Sequence, residues 1–284
     1  MQLRIVHTTG FEYDGQVSAS YNEARMTPQT SARQTVSHSR VDVSPHPWTH
    51  TYRDYWDTMV TAFEVLAPHR SLTVTATSVV RTEPATTPDP AGGDGSGGWV
   101  AVADPAHAEE LAEHRTLTPL VQPPADLAAQ VEALMASGTT PTALALAVCG
   151  LVHDEVDYVP GSTDVHAEAA TAWQQRSGVC QDIAHLVVGA LRTAGLPARY
   201  VSGYLLPKED PAVGEAVHGE SHAWVEWWDG AWTAYDPTND QPPGERHVMV
   251  ATGRDYVDVR PLSGIYTGAG TSRMFVDVEM TRLA

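Results

Sequence analysis

Two cysteines occur in the chain, and their surroundings predict different chemistry. Cys180 follows Ser177-Gly178 and precedes a run with apolar residues at helical spacing, which places it in or beside the first turn of a helix. Unsatisfied backbone N–H groups and the helix dipole stabilise a thiolate there, so Cys180 is a candidate nucleophile. Taken alone, Cys180 is better explained as a small buried hydrophobic residue, because most free cysteines behave in this way. Cys149 lies among apolar residues in LALAVCGLV, and we interpret it as a core residue.

A thiolate nucleophile needs a base and a residue that orients this base, and His222 and Asp236 are the candidates. His222 begins HAWVEWW and Asp236 ends AWTAYD, two runs that read as strands joined at Asp229-Gly230. Singly, His222 is consistent with a hydrogen-bonded strand histidine and Asp236 with a turn residue before Pro237. Together with Cys180 they form the ordered Cys, His and Asp set that acyl transfer through a thioester requires.

The length of the hairpin loop decides whether the His222 and Asp236 side chains meet. A two-residue Asp-Gly turn pairs Trp228 with Ala231 and puts Asp236 on the other face of the sheet. A three-residue loop with a bulge pairs Trp227 with Ala231 and sets His222 directly opposite Asp236. The catalytic hypothesis therefore predicts the three-residue loop.

The elements that must position these residues suggest an α+β fold. Residues 1–82 contain short runs rich in Val, Thr and aromatic residues, which predict an antiparallel β-rich region. Residues 83–98 are rich in Pro, Gly, Ser and Asp and predict a flexible linker or loop. Residues 99–284 change to helical periods and then return to strands from about 198, which predicts a catalytic core with C-terminal strands.

The composition excludes several classes of protein. The formal net charge of −18 argues against binding to nucleic acid and favours a basic partner, and no window is apolar enough to span a membrane. The N-terminal residues lack the apolar stretch of a secretory signal, and two cysteines are too few for a disulfide-bonded secreted scaffold. We therefore expect a cytoplasmic protein.

The spacing of the histidines does not match a metal-binding motif, so we expect no metal. The histidines considered are His166, His185, His218 and His222.

Several motifs resemble the bacterial transglutaminase-like superfamily, whose members are often described as cysteine proteases. The motifs are GVCQDIAHL (178–186), ALRTAGLPARYVSGYL (190–205), SHAWVEWW (221–228) and WTAYDPTND (232–240), with flanking matches in VDYVPGST (156–163) and HVMVATGRDYVDVRPLSGIYTG (247–268). Residues 1–80 resemble the bacterial transglutaminase-like N-terminal region. One departure is the sequence Asp54-Tyr55-Trp56-Asp57, which stands where relatives commonly have a D-x-x-G-N turn.

The resemblance implies a papain-like transglutaminase core with a Cys180, His222 and Asp236 triad, a thioester acyl-enzyme and no cofactor. The backbone N–H of Cys180 is the natural first donor to the oxyanion. Gln174 and Tyr158 are candidates for the second donor. Trp224, on the face of His222, is a candidate wall of the acyl-binding slot, although strand packing also accounts for it.

We therefore expect an amide or peptide hydrolase that acts on a protein or peptide substrate. The alternatives are an acyl transferase or ligase to an amine and a non-catalytic protein-binding member with a vestigial triad. The sequence does not predict the oligomeric state, the physiological substrate or the choice between water and an amine as acceptor.

Overall fold

The computed structural model describes residues 1–91, 98–163 and 167–284. Its strands are β1 (Gln2–Ala24), β2 (Gln34–Ser44), β3 (Trp48–Arg53), β4 (Met59–Val65), β5 (His69–Thr82), β6 (Asp157–Tyr158), β7 (Ser177–Gly178), β8 (Ala198–Leu205), β9 (Ala216–His218), β10 (Glu220–Trp228), β11 (Trp232–Tyr235), β12 (His247–Gly253), β13 (Leu262–Gly268) and β14 (Ser272–Arg282). Its α-helices are α1 (Trp99–Val102), α2 (Ala125–Ala136), α3 (Pro141–Glu155), α4 (Ala169–Gln175) and α5 (Cys180–Thr193). Four short 3₁₀ turns are Pro105–His107, Glu113–Arg115, Pro119–Val121 and Tyr256–Val259. No helix of these described ranges is long and apolar enough to cross a membrane.

The long strand β1 organises an antiparallel sheet of eight strands. The first half of β1 pairs with β5 on one side and β14 on the other, and its second half pairs with β4 and β13. The pairing with β5 shifts between Glu12 and Val17, so β1 changes neighbours across an irregularity near its middle. The β-rich N-terminal region predicted from the alternating sequence is thus present.

The C-terminal strands contribute to this large sheet, whereas the sequence analysis grouped them with the catalytic core. β13 and β14 pair with β1, and β9 pairs with β14. Leu3, Ile5 and Met280 from this sheet share one hydrophobic cluster with α3, α5 and β8. The β-rich region and the helical core are therefore packed together through a common core.

The predicted linker 83–98 is only partly described, because residues 92–97 lie outside the described ranges. Residues 83–91 contain no helix or strand. The Arg33 guanidinium donates to the Pro84 carbonyl, and the Thr140 hydroxyl donates to the Pro90 carbonyl over 2.7 Å. The described part of this segment therefore lies against the body of the protein.

The helical half is built around α5. A four-stranded antiparallel sheet in the order β11-β10-β8-β12 packs on α5 through β8 and β10, and α2, α3 and α4 pack against the same helix. Every residue of α5 from Gln181 to Arg192 is buried. A helix buried on all sides is held by its packing, so its first residue has a fixed position.

Candidate active site

Helix α5 begins at Cys180, as the sequence predicts. The Asp182 carboxylate accepts the backbone N–H of Val179 over 2.8 Å and also accepts the Thr163 hydroxyl. Gly178 packs so closely that an added Cβ would lie 3.0 Å from the Asp182 side chain. The turn that presents the sulfur is therefore fixed by a buried carboxylate and by close packing.

The β10–β11 hairpin has a three-residue loop, but not at the predicted position. Trp228 pairs with Trp232, so the loop consists of Asp229, Gly230 and Ala231, with Gly230 at φ 111°. The prediction of Trp227 opposite Ala231 is wrong, because the register differs by two residues. A two-residue shift preserves the face of every side chain, so Asp236 still lies on the face of His222, as a diagonal neighbour.

His222 lies near both other members of the predicted triad. Its Nε2 lies 2.7 Å from Oδ2 of Asp236, and Cys180 lines the same cleft and is near enough to raise the pKa of the imidazole. Burial lowers the pKa of His222, but the interactions with Asp236 and Cys180 outweigh burial and raise it to about 10. The site therefore favours an imidazolium beside the sulfur. Cys149 differs, because complete burial raises the pKa of its thiol.

The Asp236 carboxylate is buried and accepts five hydrogen bonds. Oδ1 accepts the backbone N–H groups of Thr238 and Asn239. Oδ2 accepts from His222, from His247 over 3.0 Å and from the Asn239 side-chain amide over 2.8 Å. Burial raises the pKa of Asp236, but the two imidazoles outweigh it and hold the pKa well below its usual range. The carboxylate is thus a fixed anion.

His247, which begins the flanking motif 247–268 and was not a predicted site residue, is a second imidazole on this carboxylate. Its Nδ1 accepts the Gly244 backbone N–H over 3.2 Å, so its Nε2 carries the proton donated to Asp236. Burial, outweighing the effect of Asp236, lowers the pKa of His247, which keeps the ring neutral. The strand motif HVMVAT gave no signal for this contact, because it depends on β12 packing beside β8.

The donor atoms of His222, Asp236 and His247 lie within 4.8 Å of one another, a spacing that could also hold a metal ion. In the structure, the Nε2 atoms of both histidines are hydrogen-bonded to Asp236, and the Nδ1 of His247 accepts the Gly244 N–H. Of the other histidines weighed as ligands, His185 accepts the Tyr256 N–H, His218 is exposed, and His166 lies outside the described residues.

A cleft of about 690 Å³ opens over Cys180 and His222, between the helical half and the large sheet. Tyr158 lines this cleft, and its two-residue strand pairs with Ser177–Gly178, directly before the turn that presents Cys180. Burial first, and then the charge of Cys180, raise the pKa of Tyr158, so its hydroxyl remains a donor.

The other two predicted contacts lie elsewhere. Gln174 is exposed on α4 and is not among the residues that line the cleft. Trp224 is buried, lies edge-on against His247 with ring centres 5.5 Å apart, and lines a separate cavity together with His247 rather than the cleft over Cys180. Its role in the structure is therefore packing behind His222.

Comparisons with known proteins match both halves of the chain. Residues 3–81 match the bacterial transglutaminase-like N-terminal region, and residues 128–237 match the transglutaminase-like superfamily. An uncharacterized protein of Mycobacterium leprae is 44% identical over 284 residues, covering 100% of this chain and 99% of its own length. An uncharacterized protein of Mycobacterium tuberculosis is 33% identical, covering 98% of this chain and 92% of its own length.

A protein-glutamine gamma-glutamyltransferase of Pseudomonas aeruginosa is 38% identical over 97 residues, which are 31% of this chain and 14% of that protein. Among solved structures, a candidate cysteine protease of Cytophaga hutchinsonii superimposes with a TM-score of 0.73 at 21% identity, covering 98% of this chain and 90% of that one. The two proteins therefore share the same fold in both the β-rich region and the helical core.

Proposed function

The chain belongs to the transglutaminase-like superfamily, and from this membership we propose that it is a thiol-dependent amide or peptide hydrolase with Cys180 as the nucleophile. The observation that carries the proposal is the position of His222, buried between Cys180 at the start of α5 and the fixed anion of Asp236. A buried imidazole held between a sulfur and a carboxylate is the arrangement that general acid–base catalysis of acyl transfer needs.

The reaction follows from these contacts. The Cys180 sulfur attacks an amide carbonyl and forms a tetrahedral oxyanion, for which we assign the backbone N–H of Cys180 and the hydroxyl of Tyr158, which lines the same cleft, as donors. His222 gives its proton to the leaving amine as the C–N bond breaks, which leaves a thioester. His222 then takes a proton from water, and the resulting hydroxide attacks the thioester. The C–S bond breaks, which releases the acid and regenerates the Cys180 thiolate beside the protonated His222.

Hydrolysis ranks ahead of transfer because the cleft is open to water. Met274 and Val276 on its wall are 47% and 53% exposed. The second candidate is transfer of the acyl group to a primary amine, which the similarity of 97 residues to a protein-glutamine gamma-glutamyltransferase favours. The third is a protein-binding member in which the three side chains have no catalytic role.

The first test is alkylation by iodoacetamide as a function of pH, with each thiol scored separately by mass spectrometry. Cys149 is completely buried and serves as the internal control. We expect fast labelling of Cys180 at neutral pH and roughly 10²-fold slower labelling in the His222→Ala variant, because the imidazolium that stabilises the thiolate is lost. Labelling of Cys180 at the rate of an ordinary thiol, unaffected by His222→Ala, would contradict catalysis and favour the protein-binding member.

The second test separates hydrolysis from transfer. Dimethylated casein, whose lysines are blocked, is incubated with the protein and a fluorescent primary amine. Ammonia or new peptide termini without incorporated fluorophore indicate hydrolysis, and incorporation indicates transfer. Either activity should disappear in Cys180→Ser and fall by roughly 10³–10⁴-fold in Asp236→Asn, because the asparagine fixes the wrong histidine tautomer.

A further inference from the structure

Arg260 is the only Lys, Arg, Asp or Glu among the described residues that line the catalytic cleft. It follows the 3₁₀ turn Tyr256–Val259 and precedes Pro261, and it is half-buried. The flanking side chains of Val259 and Leu262 are buried, and the Pro261 carbonyl accepts the Arg25 backbone N–H over 2.9 Å. The backbone that carries Arg260 is therefore fixed to the large sheet.

The guanidinium of Arg260 has no hydrogen-bonding or ion-pairing partner among the described residues, and its Nε is buried. Of the 17 Lys and Arg residues, all of which are described, only Arg70 and Arg260 have neither kind of partner. Arg70 is exposed, so water satisfies it. In a chain with 35 acidic residues, a half-buried arginine without a carboxylate partner is a group available to an anionic ligand.

The wall beside Arg260 is apolar. Phe11 of β1 pairs with Met274 of β14, and Thr9 pairs with Val276, so the apolar side chains lie together on one face of the large sheet. Met274 and Val276 are 47% and 53% exposed, so this wall is an apolar surface available to a side chain of a ligand. The cleft thus offers an apolar wall, one cation and the Cys180 sulfur.

We propose that Arg260 binds a carboxylate of the substrate, so that the preferred substrate is an amide or peptide with a carboxylate next to an apolar side chain. This inference rests on the proposed function, since it assigns a specificity residue to the same cleft. The guanidinium fork matches a carboxylate in two hydrogen bonds, which orients the acyl chain along the apolar wall. The local cation also offsets the repulsion that a net charge of −18 exerts on an anionic substrate.

The test compares matched alkylating reagents at Cys180. N-iodoacetyl-leucine carries an α-carboxylate, its carboxamide is neutral, and N-iodoacetyl-glutamic acid α-amide carries only a side-chain carboxylate. We expect at least one of the acids to alkylate Cys180 about 10-fold faster than the neutral amide in the wild type. The faster acid shows whether the carboxylate is that of a peptide C-terminus or of an acidic side chain.

In Arg260→Gln this preference should fall to about one, whereas Arg70→Gln, which removes an exposed charge and is the matched control, should retain it. Arg260→Lys should retain part of the preference, because the positive charge remains without the two-pronged geometry of the guanidinium.

Hexanoate should protect wild-type Cys180 from iodoacetamide better than hexanamide does. This comparison tests the carboxylate subsite without any substitution.

Equal rates for acids and amide in the wild type, with fast labelling by iodoacetamide that depends on His222, would overturn the carboxylate subsite alone. Slow labelling of Cys180 by every reagent would overturn the proposed function. A preference for acids that persists in Arg260→Gln would also overturn the assignment to Arg260.

Discussion

One oxygen of Asp236 accepts hydrogen bonds from three side chains, those of His222, His247 and Asn239. Asn239 and His247 occupy the positions around this oxygen that water would otherwise take, and His222 is left in one orientation. Because the His222–Asp236 contact fixes the imidazole, a residue that holds Asp236 acts on the chemistry without touching the substrate. If Cys180, His222 and Asp236 act as proposed, we expect His247 to be a positioning residue.

Replacement of His247 tests this role. In His247→Ala the carboxylate loses a donor, and hydrogen bonds to charged groups contribute about 1.5–3 kcal/mol, so we expect kcat to fall by roughly 10-fold or more with little change in KM. His247→Gln, whose side-chain amide reaches the same place, should recover most of the loss. The steady-state rates are read together with the pH profile of Cys180 alkylation. A loss of thermal stability with an unchanged kcat and pH profile would show that His247 is only structural.

At the scale of elements, the hairpin shows what could be predicted from sequence. The alternation of HAWVEWW determines which face of the sheet His222 occupies. Asp236 stays on that face in any register that differs from the predicted one by two residues, so the proximity of the two side chains was predictable. The loop position was not, because Asp229 is drawn into a hydrogen bond with Thr142 on α3, a contact remote in sequence. His247 and Arg260 were missed for the same reason, since β12 and the turn before β13 reach the site only through tertiary packing.

Replacement by alanine should have opposite effects on stability at two glycines that lie inside helices. A Cβ at Gly189 of α5 would lie 1.7 Å from the Val121 carbonyl oxygen, whereas a Cβ at Gly150 of α3 meets nothing within 4 Å. We expect Gly189→Ala to destabilise the protein by about 1–3 kcal/mol or more through overpacking, and Gly150→Ala to stabilise it by about 0.5–1 kcal/mol. Urea denaturation measures both. Equal effects of the two substitutions would contradict the close approach of α5 to the turn at Pro119–Val121.

The turn between β3 and β4 retains its shape despite its departure from the family pattern. Asp57 stands where relatives commonly have glycine and adopts φ 62°, and Asp54 Oδ1 accepts the N–H groups of Trp56 and Thr58. Aspartate tolerates the left-handed region better than branched residues do. We expect Asp57→Gly to raise the free energy of unfolding by about 0.5 kcal/mol and Asp57→Val to lower it by about 1–2 kcal/mol. Unfolding curves in which valine is as stable as glycine would disprove the strained turn.

At the scale of the whole molecule, the sheet and the helical half meet through buried polar groups as well as apolar ones. The Nδ1 of His7 on β1 lies 2.9 Å from the Tyr204 hydroxyl on β8, at one side of the catalytic cleft. Burial lowers the pKa of His7 to about 4, and burial likewise lowers the pKa of His114 and His185 to about 3. His7 and His114, which contacts Trp56 and Trp232, thus join the two halves as neutral histidines, and His185 is a neutral histidine inside the helical half.

These histidines predict that the protein loses stability in mild acid. Between pH 6.5 and about 4 the unfolded chain binds protons at His7, His114 and His185 that the native state does not, so the free energy of unfolding falls as the pH falls. Each such proton accounts for about 1.4 kcal/mol per pH unit. His222 acts in the other direction: its folded pKa of about 10 gives a contribution that is complete below pH 6.5 and is lost as the pH rises through 10.

The two effects together place maximal stability near neutral pH, and one substitution separates them. His185→Gln keeps an acceptor for the Tyr256 N–H but has no proton to gain, so the loss of stability between pH 6.5 and 4 should be smaller by about 1.4 kcal/mol per unit. The limb between pH 6.5 and about 9, which belongs to His222 and lies below the titration of Cys149 and the buried tyrosines, should not change. Urea unfolding at half-unit pH intervals resolves the two limbs. A flat profile between pH 6.5 and 4 would mean that these histidines take up protons in the native state, which would contradict their burial away from water.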